Sequence, residues 1–371
     1  MRKIKVLSVF GTRPEAVKMC PLALELRRRP EIESAVCLTG QHREQLDQVM
    51  AIFGVRADYD LNIMRPRQTL TSITVDILEK IGGVLDAAAP DLVLVHGDTT
   101  TAFAAALAAF YRKIPVGHVE AGLRSRNIAS PYPEEMNRLV ADRLSALRFA
   151  PTRLNRENLL REGIDGAGIF VTGNTVIDAF RYTLANEKNE KQSEKQRTVL
   201  ITAHRRENLG KPLENICRAL KTLAENHPET AFVYPVHLNP SVRETVFPIL
   251  EKTDNIQLLD PLDVTEMHRL MARSFLVLTD SGGLQEEAPH FGIPVLVLRS
   301  ETERPEAVEA GTVKVIGTEY ADIVREAEAL FDGGAEYAKM ARSVNPYGDG
   351  HASERIADLV ISYANSTILN V

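Results

Sequence analysis

The chain has 371 residues, of which 44% are hydrophobic and 25% charged, with a formal net charge of −6. That length exceeds a typical single core and predicts two domains of an ordinary soluble globular protein. The negative balance argues against a general nucleic-acid binder. Three cysteines without metal or disulfide spacing (Cys20, Cys37 and Cys217) fit a reducing, cytoplasmic compartment.

The first apolar run, Ile4–Phe10, predicts a buried strand. It is too short for a secretory leader, and Arg13 and Glu15 follow where a cleavage region should be. The strand breaks at Gly11 into a helix that Pro14 can start, which leaves backbone N–H groups suited to phosphate oxygens. Arg13 and Lys18 lie around the first turn of that helix, where cations oppose the helix dipole unless an anion neutralises them.

Ser34–Thr39, Leu92–Val95 and Ile114–Val119 are further predicted strands, each followed by a helical pattern. That rhythm predicts βαβ units and a parallel sheet covered on both faces, with ligands beyond the carboxyl ends of the strands. His96-Gly-Asp98-Thr-Thr-Thr101 follows one such strand. Its threonines can cap the next helix, which leaves the Asp98 carboxylate for catalysis. His118-Val-Glu120 places a second carboxylate at a strand end. The His-x-Glu there is not a zinc deaminase motif, because Pro-Cys-x-x-Cys is absent. A third carboxylate, Glu134 or Glu135, sits in the proline-stiffened loop Ser130-Pro-Tyr-Pro-Glu-Glu, where either residue also suits a first helical turn. The alanine-rich run Ala102–Phe110 is roughly half the length needed to span a bilayer, so no membrane association is expected.

The polar stretch Ala185–Arg197 marks a boundary. We divide the chain into a first domain over residues 1–172, a linker region over 173–197 and a second domain over 198–352, with a terminal helix over 353–371 joining the first domain. The second half restarts the rhythm with Thr198–Thr202, Phe232–Val236, Ile256–Leu259, Phe275–Thr279, Pro294–Leu298 and Val313–Ile316. His204, Arg205 and Arg206 follow the first of these strands and His237 the second, positions that suit phosphate binding. Ser281, Gly282 and Gly283 repeat the strand–turn–helix device of Gly11, with Glu287 one turn into the helix, where it could accept hydrogen bonds from a ribose diol. Two such turns facing one another across a cleft would hold a nucleotide-sugar diphosphate from both sides.

Neither half carries Gly-x-Gly-x-x-Gly or a P-loop, so no dinucleotide cofactor is expected. No histidine cluster has metal spacing, and Asp58-Tyr-Asp60 is better read as a turn or edge strand than as a metal-binding pair.

Ten ordered motifs resemble the non-hydrolysing UDP-N-acetylglucosamine 2-epimerases. They are Phe10-Gly-Thr-Arg-Pro-Glu-Ala16, Gln41-His-Arg-Glu, His96-Gly-Asp-Thr-Thr-Thr101, Gly117-His-Val-Glu-Ala-Gly-Leu-Arg124, Pro133-Glu-Glu, Gly173-Asn-Thr-Val-Ile-Asp178, His204-Arg-Arg-Glu-Asn, Pro235-Val-His-Leu-Asn-Pro240, Asp280-Ser-Gly-Gly and Thr302-Glu-Arg-Pro-Glu-Ala307. The resemblance implies a GT-B fold of two Rossmann-like domains with a central cleft, usually as a homodimer. It implies interconversion of UDP-GlcNAc and UDP-ManNAc without added NAD or metal. By matching positions, Asp98, Glu120, Glu134 and His204 would be catalytic, and Arg13, His204, Ser281, Gly282, Glu287 and Arg304 would hold UDP. Gln41, Glu44, Arg67, Arg205 and His237 match a second UDP-GlcNAc site, where the ligand acts as an allosteric activator. Met267, where members often have phenylalanine, and Glu44, where some have glutamine, depart from the pattern. The alternative readings are a hydrolysing epimerase that releases ManNAc and UDP, a GT-B glycosyltransferase, or a non-catalytic UDP-sugar-binding protein.

Overall fold

The computed structural model describes residues 2–41, 43–185 and 197–368. Among them, seven strands form one sheet: β1 (Ile4–Phe10), β2 (Ile32–Leu38), β3 (Tyr59–Asp60), β4 (Leu92–His96), β5 (Val116–Val119), β6 (Leu147–Ala150) and β7 (Ile169–Val171). Six form a second: β8 (Thr198–Thr202), β9 (Ala231–Pro235), β10 (Ile256–Leu259), β11 (Leu276–Thr279), β12 (Val295–Val297) and β13 (Val313–Val315). Every strand pairing in both sheets is parallel.

The first sheet runs β3-β2-β1-β4-β5-β6-β7 and the second β10-β9-β8-β11-β12-β13. Both are doubly wound, with the strand order reversing beside the first strand of each unit. The crevice opposite that reversal is where such sheets bind ligands. In the first unit the loops after β1 and β4 border it, and in the second the loops after β8 and β11. The central strands read as near-continuous apolar runs because helices cover both faces. Leu7, Val9, Val93 and Val95 pack with Ile77, Ile81 and the alanines of the helix Thr100–Tyr111. Val199, Ile201, Leu276 and Leu278 pack with Leu213, Ile216 and Leu220 of the helix Lys211–Asn226. Each fully buried Leu or Val contributes about 1.5–3 kcal/mol.

The chain divides into two compact units, residues 1–183 with 347–371, and residues 184–346. The linker expected from residue 173 is therefore corrected on its N-terminal side. Thr175–Thr183 is a helix of the first unit, and its Asp178 carboxylate accepts the backbone N–H of Ser353 at 2.7 Å and of Ala352 at 3.2 Å. Those are otherwise unpaired donors at the start of the terminal helix Ala352–Tyr363, so one buried side chain ties both segments to the same core. Arg29–Asp358 and Arg181–Glu354 add ion pairs at 3.1 and 2.8 Å. The second unit correspondingly ends at Pro346 rather than at residue 352. Residues 186–196 of the expected linker lie outside the described residues.

Candidate active site

In the first unit, β1 ends at Phe10 and the helix Arg13–Arg28 begins behind the N-cap Thr12. The Glu15 carboxylate accepts the backbone N–H of Gly11 at 3.0 Å and of Thr12 at 2.8 Å, and the Thr99 hydroxyl at 2.7 Å. The expectation of an open phosphate cradle at this turn is thereby corrected, because the helix's own side chain has taken those donors. Glu15 is fully buried, and desolvation pushes its pKa up to about 7 against the hydrogen bonds that favour its charge. Arg13 and Lys18 occupy the first and second turns of the helix, both partly exposed.

The loop after β4 carries Asp98. Thr99 caps the next helix by accepting the Ala102 N–H at 3.0 Å, so Asp98 is not the cap. Its carboxylate pairs with Arg138, and its carbonyl accepts from the Asn137 side chain at 2.9 Å. Both partners lie on the helix Glu134–Leu144. This separates the two loop glutamates. Glu135 is buried and accepts from the Ser125 and Arg126 backbone and from Arg138, at 3.0, 2.9 and 3.1 Å, so it builds the loop. Glu134 stands partly exposed at the head of the helix.

Glu120 follows β5 with φ of +67°, a left-handed backbone that costs a non-glycine residue about 1–3 kcal/mol. That conformation turns its carboxylate back toward β4 and the first helix. It pairs there with Lys18 and accepts from the Asn174 side chain at 2.8 Å. His96 Nε2 lies 3.7 Å from the same oxygen. Beneath this cluster, buried His118 bridges the Asp142 carboxylate at 2.6 Å and the Gly97 carbonyl at 2.7 Å. Arg124 also pairs with Asp142, at 2.7 Å. The first unit thus gathers Lys18, Asp98 and Glu120 at the ends of adjacent elements. Gln41 accepts from Thr101 at 3.2 Å, whereas Glu44 and Arg67 are exposed outside that cluster.

In the second unit the glycine turn follows β11. Asp280 is fully buried, and one of its oxygens accepts the backbone N–H of His204 and of Arg205, both at 2.7 Å, and the Asn208 amide at 3.0 Å. This carboxylate fixes the β8 loop against the β11 turn. Ser281 begins the helix Gly282–Glu287 with no side-chain cap. A Cβ built on Gly282 would stand 3.8 Å from both the Arg205 and the Arg304 guanidinium, so two cations flank this turn. Glu286 orients Arg304 through an ion pair. The His204 and His237 rings stack at 5.2 Å, and burial keeps the His204 pKa below the usual imidazole value. Glu287 is largely shielded and lies 3.4 Å from His268.

The carboxylates gathered in the first unit can move protons, and the cation-flanked glycine turn of the second can hold an anion. The sequence matches the UDP-N-acetylglucosamine 2-epimerase family over residues 24–361. It is 51% identical over 361 residues to the UDP-N-acetylglucosamine 2-epimerase of Bacillus subtilis, covering 96% of this chain and 95% of the relative. The chain belongs to the UDP-N-acetylglucosamine 2-epimerase family.

Solved structures agree with that membership. The family member from Neisseria meningitidis, bound to UDP-GlcNAc, superposes with a TM-score of 0.89 at 50% identity, covering 97% of this chain and 100% of that one. The Methanocaldococcus jannaschii enzyme, in complex with UDP-GlcNAc and UDP, superposes at 0.80 and 34% identity over 97% and 100% of the two chains. The fold is accordingly that of the GT-B-like epimerases, two parallel sheets with flanking helices. No helix among the described residues is long and apolar enough to cross a membrane. No group of three or more potential metal ligands occurs among them.

Several residues of these two clusters escaped sequence reasoning. Glu15, Arg138 and Asn174 in the first unit and Asp280 in the second order the loops of their own unit through buried side chains. Asp280 carried the clearest signal, a carboxylate at a strand end directly before Ser-Gly-Gly. His96 is the most unusual. It is 4% exposed, and both ring nitrogens lack a hydrogen-bond partner among the described residues. Burial drives its pKa down to about 4, so the ring is neutral and must carry one N–H, at a cost of about 1–3 kcal/mol while that donor goes unmade.

Proposed function

We propose that the protein interconverts UDP-GlcNAc and UDP-ManNAc without hydrolysis, by elimination and re-addition of UDP. The observation that carries this reading is the carboxylate cluster of Asp98 and Glu120, built beside cations in a chain that belongs to this family. The hydrogen at C2 of an N-acetyl sugar lies beside no carbonyl and is barely acidic. Breaking the C1–O bond, with the electron pair leaving on the diphosphate, builds positive charge at C1 and acidifies it. Loss of the C2 proton to a carboxylate then gives a glycal and UDP. Protonation of C2 from the other face and return of the diphosphate oxygen to C1 complete the inversion.

Each demand has a group to meet it. Departure of the diphosphate needs fixed positive charge, which Arg13, Arg304 and the Ser281–Gly282 turn would supply, with the His204 imidazole as a hydrogen-bond donor beside them. Proton removal and return on opposite faces need separate acid and base groups, for which Asp98, Glu120 and Glu134 serve. Glu287 would take the ribose diol. Gln41, Glu44, Arg67, Arg205 and His237 would bind a second UDP-GlcNAc as activator, and the active form would be a cytoplasmic homodimer. Arg205 stands at the Gly282 turn and His237 stacks on His204, which supports close coupling between the activator residues of the second unit and the substrate residues beside them.

Incubation with UDP-GlcNAc in deuterated water tests the reading. UDP-ManNAc should appear, with deuterium at C2 of both nucleotide sugars. Free ManNAc with stoichiometric UDP would instead show hydrolysis, and binding without exchange would show a sensor.

A further inference from the structure

Glu120 has too many suitors for one oxygen. Lys18 and Asn174 both donate to Oε2, while His96 Nε2 waits 3.7 Å away with neither ring nitrogen partnered among the described residues. The ring sits at the end of β4, 4% exposed, on a strand whose register against β5 pairs His96 with Val119, next to Glu120. The charged groups that bear on it are Glu120, Lys18, His118 and Asp98, and burial outweighs them all in keeping it neutral. A neutral N–H donor is therefore stored beside a carboxylate that a cation currently occupies.

We propose that His96 is a positioning residue for Glu120: when a diphosphate draws Lys18 away, the His96 Nε2–H takes its place on Glu120 Oε2. This deepens the epimerase reading and rests on it, because Lys18 has an anion to move to only if the substrate carries one. An ammonium partner holds a carboxylate in its charged form and makes it a poor base. An imidazole N–H and an amide hold the same geometry without a full positive charge, so the carboxylate regains basicity. The exchange links proton transfer at Glu120 to the arrival of the leaving group. Before substrate binds, Glu120 is fixed and quenched; afterwards it is fixed and basic. The left-handed backbone of Glu120 restricts where its carboxylate can go, so the donors must change instead.

The test measures C2 deuterium exchange and epimerisation of UDP-GlcNAc by the full-length protein, together with imidazole ¹⁵N spectra. In His96→Phe, kcat should fall roughly 10- to 100-fold with KM within about threefold, the pattern of a group acting after binding. His96→Gln keeps an N–H at similar reach and should recover to within about fivefold of the parent. In the parent, the His96 resonances, identified by their loss in His96→Gln, should shift when UDP saturates the protein. Lys18→Ala should show that shifted position without UDP, since Glu120 has already lost its ammonium. A ring unmoved by UDP overturns the assignment even where His96→Phe fails to fold. A raised KM at unchanged kcat would also overturn it, by making His96 a substrate contact. A parent that neither exchanges nor epimerises sinks the epimerase reading itself, whereas a parent that exchanges with a silent imidazole sinks only this inference.

Discussion

The turns after β1 and β11 each border the strand-order reversal of their own sheet, β11 standing where β4 stands in the first, yet they treat their backbone donors in opposite ways. At Gly11 the N–H groups are consumed by the buried Glu15 carboxylate, which also reaches Thr99 beside Asp98. At Ser281 no side chain caps the helix, and Arg205 and Arg304 flank the Gly282 turn. The same local device is thus closed in one unit and cationic in the other. A self-satisfied turn makes a rigid platform for proton-transfer groups. A turn flanked by cations makes a seat for phosphate. Topology fixes where a site lies, and one buried carboxylate decides what kind of site it becomes.

Under the proposed function the carboxylates that move protons lie in the first unit and most of the UDP contacts in the second, and the sharpest way to break that division is Asp98→Asn. Proton transfer by a positioned carboxylate is worth about 10²- to 10⁴-fold, so C2 exchange in deuterated water should fall by that range. UDP affinity, measured by calorimetry, should stay within about threefold, since the asparagine keeps the shape and the second unit is untouched. A variant that exchanges at the parental rate would remove Asp98 from the reaction. A variant that loses UDP binding would erase the division between the units.

Next in size is the pH response of the closed turn. Glu15 holds its proton more tightly folded than unfolded, with a folded pKa of about 7 against an ordinary 4.5. Its contribution to stability is therefore fully present below about pH 4.5 and is lost as pH rises through about 7. His96 runs the other way, because its folded pKa of about 4 lies below the ordinary 6.5. Its contribution is present above pH 6.5 and lost as pH falls through about 4. Over the overlap these two slopes oppose one another. Glu15→Gln removes one slope. Urea unfolding should then show the variant gaining on the parent by on the order of 3 kcal/mol between pH 4.5 and 7. Parallel stability curves would mean that Glu15 is charged throughout and the closed turn is a plain salt-free cap.

Much of this architecture was legible in the residues. Ile4–Phe10, Thr198–Thr202 and Ile256–Leu259 appear as strands with the bounds that their apolar runs predict. Three others left no comparable trace. Tyr59–Asp60 has two residues, and Asp58-Tyr-Asp60 belongs to an edge strand and its approach. Leu147–Ala150 carries Arg148, whose guanidinium is absorbed by the Asp142 carbonyl at 2.7 Å. Ile169–Val171 is too short for periodicity to speak. The site divides along the same line. Carboxylates at strand ends announced themselves, because strand ends are where such sheets bind. The groups that tune them, Glu15 and His96, were hidden because their roles depend on which loops the sheet order brings together. No spacing rule connects Glu15 to Thr99, or His96 to an unfilled hydrogen bond.

The two glycines offer the most direct contrast between the turns. At Gly11 an added Cβ would stand 1.8 Å from Thr39 Oγ1 and 2.9 Å from Thr101 Oγ1, inside a closed, packed turn. Gly11→Ala should therefore cost stability, about 1–3 kcal/mol of overpacking, visible as a lowered melting temperature. At Gly282 the nearest protein atoms are the Arg205 and Arg304 guanidiniums at 3.8 Å, an ordinary contact. Gly282→Ala should leave the fold as stable as the parent, or stabilise it by about 0.4–1 kcal/mol through the unfolded chain. Its methyl group nevertheless projects toward the space between the turn and the two cations, where a phosphate would lie. UDP should then bind about tenfold more weakly or worse, close to 1.4 kcal/mol. One substitution would damage the molecule and spare the ligand's own contacts, and the other would do the reverse. If Gly282→Ala bound UDP as tightly as the parent, the phosphate would have to sit elsewhere, and the cationic turn would lose its claim to be the seat.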